Sequence, residues 1–300
     1  MIGALMLTVC RPLAASAGQT VSMSDAVDTT ITPESFRLDG RIAVVTGAAQ
    51  GIGAATACTL ARFGADVAVC DKLAGPLGET ADAIASTGRR VVSAVMDVRD
   101  DDAVAAFLAE IASDFGRVDV LVNNAGGGFY APFMEVSVKG QGALIAENFT
   151  QATSFIRGCV PLMTEGGSIV NITSIEAHRA GPGFGIYSAM KAGLENLTKT
   201  LALELADLGI RVNSVAPDMI PTPGDALLTT DSGAMADAIA HSALTVQPVR
   251  HAGSADDCAA AVLYLSSAAG RFVTGTTLHV DGGTHAASGW KRGDEGRWRL

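Results

Sequence analysis

Short apolar runs recur along this chain, separated by polar, glycine-bearing breaks. They alternate with longer segments whose apolar residues fall at helical spacing. Residues 41–46 are β-branched and of strand length, and 66–70, 90–97, 118–122, 168–172, 211–215 and 277–280 repeat the pattern. Between them, an Ala-rich stretch to Phe63 and residues 76–87, 100–115, 144–163, 187–208 and 256–266 read as helices. In 100–115 the buried face is marked by Val104, Phe107, Leu108 and Ile111. Strands that are apolar throughout, alternating with helices, predict an α/β fold: one doubly wound parallel sheet with helices on both faces. Ligands bind such sheets outside the carboxyl ends of the strands. Gly47, Asp71, Asp97, Asn123 and Ser174 all fall at or just past such ends.

Three stretches break the rhythm. Residues 1–37 add no strand or helix to it and read as a disordered extension. Their first segment is mildly apolar and Ala15, Ser16 and Ala17 have the size of a signal cleavage site, but Arg11 interrupts the apolar run and no basic segment precedes it. Residues 218–249 follow a proline-rich opening (Pro217, Pro221, Pro223), with a helix at 234–244, and read as a lid over the mouth of the sheet. Residues 285–300 carry mixed charge and read as a solvated tail. The catalytic domain is thus expected over 38–284.

Composition narrows the classes. With 48% hydrophobic residues the chain can bury a sizeable core, and a net charge of −10 argues against a nucleic-acid surface. Its five cysteines are scattered, which fits reduced thiols and a cytoplasmic location. No stretch is long enough to cross a membrane. No His/Cys group has metal-ligand spacing, so no metal site is expected; His178, alone in its loop, reads as solvated.

The chemistry sits in two places. The first strand feeds Thr46-Gly47-Ala48-Ala49-Gln50-Gly51-Ile52-Gly53 and then a helix. Glycines there let the backbone approach an anion, and the helix N-terminus supplies free N–H groups: a phosphate cradle. Asp71 ends the second strand, where a carboxylate meets ribose hydroxyls. The second place is Ser174 to Lys191. Tyr187 and Lys191 are one helical turn apart on one face, and a Gly/Pro-rich loop lets Ser174 double back towards them. A phenol has an ordinary pKa of about 10; a neighbouring ammonium favours its phenolate, which could then exchange a proton while a hydride moves to or from carbon.

With these residues in order, the chain resembles the short-chain dehydrogenase/reductase family over about 38–284. The motifs are Thr46-Gly47-x-x-x-Gly51-x-Gly53, Asn123-Asn124-Ala125-Gly126, Asn148, Ser174, Tyr187-x-x-x-Lys191, and Pro217 with Thr222. The resemblance implies a Rossmann-like single domain, NAD as cofactor and a homotetramer paired through the helices at 144–163 and 187–208. It implies Tyr187 as acid/base, Lys191 as the residue that holds the nicotinamide ribose and activates the tyrosine, Ser174 as the group that orients the substrate oxygen, and Asn148 as the holder of a relay water. The implied cofactor-binding set is Gly47, Gln50, Gly51, Ile52, Gly53, Asp71, Asp97, Val98, Asn124, Ala125, Gly126, Tyr187, Lys191, Pro217 and Thr222. Asp97 would meet the adenine, and Thr222 the carboxamide.

Two departures stand out: Asp218 replaces the family's usual glycine after Pro217, and 139–142 lacks the usual aromatic–acidic pair before Asn148. The expected reaction is hydride transfer between the nicotinamide and a small-molecule secondary alcohol or ketone. Ile175, Phe129, Phe184, Met219, Ile220 and Leu227 point to an apolar, hydroxysteroid- or terpenoid-like substrate. The alternatives are a 3-oxoacyl thioester reductase and, in another class, a catalytically inactive dinucleotide sensor. The full Ser174, Tyr187 and Lys191 set argues against the sensor.

Overall fold

In the computed structural model, which describes residues 30–223, 246–293 and 296–300, the apolar runs become parallel strands. These are β1 (Ile42–Thr46), β2 (Asp66–Asp71), β3 (Val91–Val95), β4 (Val120–Asn123), β5 (Gly167–Ile172), β6 (Ile210–Pro217) and β7 (Thr277–Val280). They form one seven-stranded sheet in the order β3-β2-β1-β4-β5-β6-β7, every pair parallel. The strand period of two divides the side chains between two cores. Ala43, Val45, Val67, Val69, Val120 and Val122 face one way, beneath α1 (Gly51–Arg62), α2 (Ala74–Ala85) and α7 (Ala255–Ser266). Val44, Ala68, Leu121, Ile169 and Val212 face the other. They pack under α3 (Asp101–Asp114), α5 (Gln151–Cys159) and α6 (Gly185–Glu204). The order reverses direction between β1 and β4, the switch point where a parallel sheet opens a crevice.

Local sequence explains most boundaries. Asp100 caps α3, its carboxylate accepting the N–H groups of Asp102 and Ala103, and Ser254 and Asp257 form a reciprocal capping box at the start of α7. Asp119, buried at the foot of β4, accepts the N–H of Ile42 and a bond from Arg41. This ties β1 and β4 together at the end of the sheet away from the crevice.

The segment read as a helix over 144–163 is different. A first helix, α4 (Val138–Ile145), starts earlier, capped by Ser137 on the N–H of Gly140. It passes through a wide π-turn (Ala146–Thr150) into α5, and a 3₁₀ turn (Val160–Leu162) follows. Gly140 and Gly142 are weak helix formers, so the early start was hidden in the sequence. Ahead of residue 38, Phe36 packs on the core. At the other end, α8 (Thr284–Ala287) precedes a small antiparallel pair, β8 (Lys291–Arg292) and β9 (Trp298–Arg299), with the Arg292 guanidinium 4.7 Å above the Trp298 ring. The tail is therefore partly structured. The first 29 residues, the helix expected at 234–244 and Leu227 lie outside the described residues. Among those described, no helix is long and apolar enough to cross a membrane.

The glycine turn after β1 is packed to the limit of its backbone. Gly47 has φ +65°, and a Cβ there would lie 2.8 Å from Ala125 Cα. A methyl on Gly53 would collide with the Gly47 carbonyl oxygen and the Asn124 amide. Gly53→Ala is expected to destabilise the fold by about 1–3 kcal/mol and to weaken dinucleotide binding, read by denaturant unfolding and by fluorescence titration with NADH. Unchanged stability and affinity would show that this contact does not shape the turn.

Candidate active site

A cleft of about 770 Å³ runs over the carboxyl ends of the strands on both sides of the switch point. Its floor is the glycine turn. Helix α1 starts at Gly51 with Gln50 as its cap, and the Gln50 side chain makes no capping bond to the first turn. Those N–H groups and the positive end of the helix suit a phosphate, so the turn fits a dinucleotide. Thr222 closes over it: a Cβ on Gly51 would lie 3.1 Å from the Thr222 methyl carbon. Asn124 joins the two sides of the crevice. Its Nδ2 donates to the carbonyl oxygens of Thr46 and Gly47 at 3.0 and 2.9 Å, while Thr46 Oγ1 accepts the N–H groups of Asn124 and Ala125.

Gly47, Gln50, Gly51, Ile52, Asp71, Asp97, Val98, Asn124, Ala125, Gly126, Ser174, Tyr187, Lys191, Pro217 and Thr222 line this one cleft. Gly53 and Asn148 do not; they stand behind its wall. Gly53 lies beneath Gly47. Asn148 sits in the π-turn, which rolls its side chain inward, where its amide donates to Gly127 O and Leu144 O and accepts from Gly127 N. It braces the Gly126–Gly127 loop, although its Oδ1 and Lys191 Nζ both border the Gly126 Cα. π-turns of this kind are frequent at functional sites.

Helix α6 carries Tyr187 and Lys191. Lys191 is 4% exposed, and its Nζ donates to Ile172 O at 2.9 Å and lies 5.5 Å from the centre of the Tyr187 ring. Burial lowers its pKa to about 8, with Glu147 opposing the shift. Tyr187 is wedged between Phe184 and the backbone of Gly128. Ser174 closes β5, and its Oγ accepts the N–H of Glu176 at 3.2 Å, which leaves the hydroxyl proton able to donate.

At the carboxyl end of β2, Asp71 also braces the turn: its two oxygens accept the N–H groups of Ala49 and Leu73, each at 3.0 Å. Each oxygen keeps a further lone pair. Asp97 is clamped by Arg99, whose hydrogen bonds hold its pKa down to about 2. Lys72 extends to Glu147, 3.9 Å away.

Sequence reasoning missed Arg99 and Glu147, and it missed Glu176 and Arg179. Arg179 bridges Glu176 at 2.7 Å and reaches Asp218 at 3.5 Å, so the unusual aspartate belongs to a charged group on the cleft rim. Burial raises the Asp218 pKa, with Arg179 opposing. Beside it Met219 has φ +53°, a left-handed conformation uncommon for a residue with a side chain. The signal for Arg99 and Glu176 was present: each lies two residues past a strand-end polar group. His178 is exposed, as expected of a loop histidine, but it also has a specific partner. Its Nε2 lies 2.9 Å from the buried carboxylate of Glu195, which also accepts from Thr173 Oγ1. The ring touches His279 and His285.

Residues 47–285 match the family described as enoyl-(acyl carrier protein) reductase. The chain is 40% identical over 246 residues to cis-4-hydroxycyclohexanecarboxylate dehydrogenase of Sinomonas cyclohexanicum, covering 81% of this chain and 96% of that protein. Among solved structures it is similar to 7α-hydroxysteroid dehydrogenase complexed with NADH and 7-oxo glycochenodeoxycholic acid (32% identity, 85% and 98% of the two chains, TM-score 0.78). It is also similar to carveol dehydrogenase of Mycobacterium avium in complex with NAD (32%, 83% and 98%, TM-score 0.75). The chain belongs to the short-chain dehydrogenase/reductase family, and it is an oxidoreductase acting on alcohols or ketones.

The buried lysine makes this site costly. Below about pH 8 the folded and unfolded chains both carry the ammonium, and the fold bears its whole desolvation cost. Between there and the ordinary lysine pKa of 10.5, only the unfolded chain holds the extra proton, so stability rises with pH. Lys191→Met is therefore expected to abolish turnover yet raise stability at neutral pH. The gain is at most about 3 kcal/mol, less about 1 kcal/mol for the lost bond to Ile172. Denaturant unfolding should show the gap closing as pH rises past the lysine range. A variant less stable than wild type at neutral pH would mean that the ammonium stabilises the fold.

Proposed function

We propose that the protein is an NAD(H)-dependent dehydrogenase or reductase of an apolar secondary alcohol or ketone, of hydroxysteroid- or terpenoid-like shape. The observation that carries this reading is the convergence of Ser174, Tyr187 and buried Lys191 on the part of the cleft beyond the glycine turn. Bound there, the nicotinamide supplies a hydride acceptor or donor. Gly47, Gln50, Gly51, Ile52 and Asn124 to Gly126 would hold its phosphates and neighbouring ribose, Asp71 the adenosine ribose, and Asp97 and Val98 the adenine. Pro217 and Thr222 would hold the carboxamide end.

The chain's own residues do the rest. The Ser174 hydroxyl donates to the substrate oxygen and holds it beside Tyr187. The Tyr187 hydroxyl gives that oxygen a proton in reduction and takes it back in oxidation. Lys191 keeps positive charge beside the phenol, which favours the phenolate, and contacts the nicotinamide ribose. Asn148 positions the Gly126–Gly127 backbone and offers a relay water an acceptor near Lys191. The side chains of Phe129, Ile175, Phe184, Met219 and Ile220 line the remaining space and exclude water from an apolar substrate. Tyr187→Phe is expected to leave dinucleotide affinity nearly intact and to reduce kcat at least ~10²-fold. Retention of more than about a tenth of wild-type turnover would remove the tyrosine from its role.

The preference for NAD(H) over the 2′-phosphorylated cofactor rests on charge. A 2′-phosphate would meet the Asp71 carboxylate. Two such charges about 4 Å apart at an effective dielectric near 20 repel by roughly 4 kcal/mol. The neighbouring cations do not compensate, since Lys72 is directed to Glu147 and Arg99 to Asp97. Steady-state kinetics with both cofactors and a panel of secondary alcohols, read by absorbance of the reduced form, should favour NAD by about 10²-fold or more in kcat/KM. Equal efficiency would refute the role given to Asp71. The same charges weigh against the second reading, a 3-oxoacyl thioester reductase, which would be expected to use the phosphorylated cofactor and to offer basic residues to an acidic carrier.

A further inference from the structure

Three histidines far apart in the sequence meet beneath the loop that carries Ser174. His178 follows the short 3₁₀ turn (Ile175–Ala177), His279 is in β7, and His285 is in α8. Their ring centroids are 4.5 Å (His178–His279), 5.0 Å (His178–His285) and 4.2 Å (His279–His285) apart. One potential ligand atom from each lies within 4.8 Å of the others. None of these rings lines the cleft. We propose that His178, His279 and His285 bind one divalent first-row transition ion of the zinc class, separately from the hydride-transfer site.

Several features of the cluster fit an ion. The His279 Nε2 is sealed from solvent and has no hydrogen-bond partner among the described residues. A buried polar nitrogen left in this state is uncommon and costly, and a metal bond would satisfy it. His178 is oriented from behind: its Nε2 faces the Glu195 carboxylate at 2.9 Å, and a proton donated from that nitrogen would leave Nδ1 with the lone pair. A carboxylate that grips a histidine through its far nitrogen is the usual outer support of a metal-bound imidazole. His285 is placed by Asp281, whose carboxylate accepts the N–H groups of Gly283 and His285 and so fixes the turn between β7 and α8.

Charge and ligand type agree. Glu195 and Asp281 make the surroundings favourable to a cation, and Arg179, the neighbour of His178, is turned to Glu176 and Asp218. Imidazole nitrogens select zinc, copper, nickel or cobalt over magnesium or calcium. Zinc–nitrogen bonds are about 2.0–2.1 Å, so three ligands of a tetrahedral ion stand closer than the 4.8 Å limit seen here. The rings of His279 and His285 are stacked within 8°, and they would have to splay about their Cβ–Cγ bonds to share an ion. His285 is on the surface and can do so at little cost. Water would complete the fourth position. Such an ion would pin the Ser174 loop to β7 and the C-terminal turn.

The test is calorimetric titration of ZnCl₂ into the chelator-stripped full chain, prepared without a polyhistidine tag. One ion per chain with a micromolar or tighter Kd is expected, and saturating Zn²⁺ should raise Tm. Co²⁺ should give the intense visible bands of a four-coordinate ion. His279→Gln and His285→Asn should each weaken Zn²⁺ binding at least about 10²-fold and abolish the Tm shift. His285→Asn, on the surface, keeps the test decisive should His279→Gln fail to fold. Absence of stoichiometric binding, or an affinity that stays within about threefold of wild type in His285→Asn, would overturn the proposal.

Discussion

A fully buried ammonium sets the terms for the active-site half of this protein. Lys191 has one hydrogen bond to the end of β5 and sits against the Tyr187 ring, a placement that burial opposes. Holding it there requires α6 to pass close behind β5. It also requires the loop after β4 to come within reach of its Nζ, and the helix pair α4–α5 to supply a brace for that loop. The π-turn provides the brace: one wide turn rolls Asn148 inward, where its amide takes both backbone groups of Gly127. The lysine is thus enclosed where α6, the end of β5 and the loop after β4 come together. Such strain against stability is common where function needs a perturbed group.

The cofactor half answers to a different constraint, close backbone approach. Gly47 and Gly53 admit no side chain, and Asn124 ties the two sides of the crevice through carbonyl oxygens of β1 and its turn. Asp71 serves twice, bracing the same turn through Ala49 while presenting its remaining lone pairs to the cleft. The cleft and the catalytic row are therefore two sides of one feature, the reversal of strand order between β1 and β4.

Electrostatics at the rim bear on what the cleft can admit. Lys72 and Arg99 are both engaged by carboxylates, and the aspartate that follows Pro217 joins Arg179 and Glu176. These pairs are partly exposed and contribute little to stability. They leave the cations near Asp71 already engaged by carboxylates and place charge on the rim beside Pro217.

Much of this was legible in the sequence because the fold writes itself in local patterns. Apolar runs alternating with helical periodicity point to a parallel sheet, and a parallel sheet puts its chemistry at the strand ends, so Gly47, Asp71, Asp97 and Ser174 could be placed on one edge by counting, and helical spacing put Tyr187 and Lys191 on one face. What depended on neighbours distant in the chain could not be read. The inward turn of Asn148 comes from a wide helical turn that no residue announces. The helix start at Val138 was hidden by glycines that its Ser137 cap and tertiary packing override. The pairing of Asp218 with Arg179 joins two loops, and the histidine cluster joins a loop, a strand and a short helix. Periodicity reports which face of an element is buried; only packing in three dimensions decides which side chains then share a site.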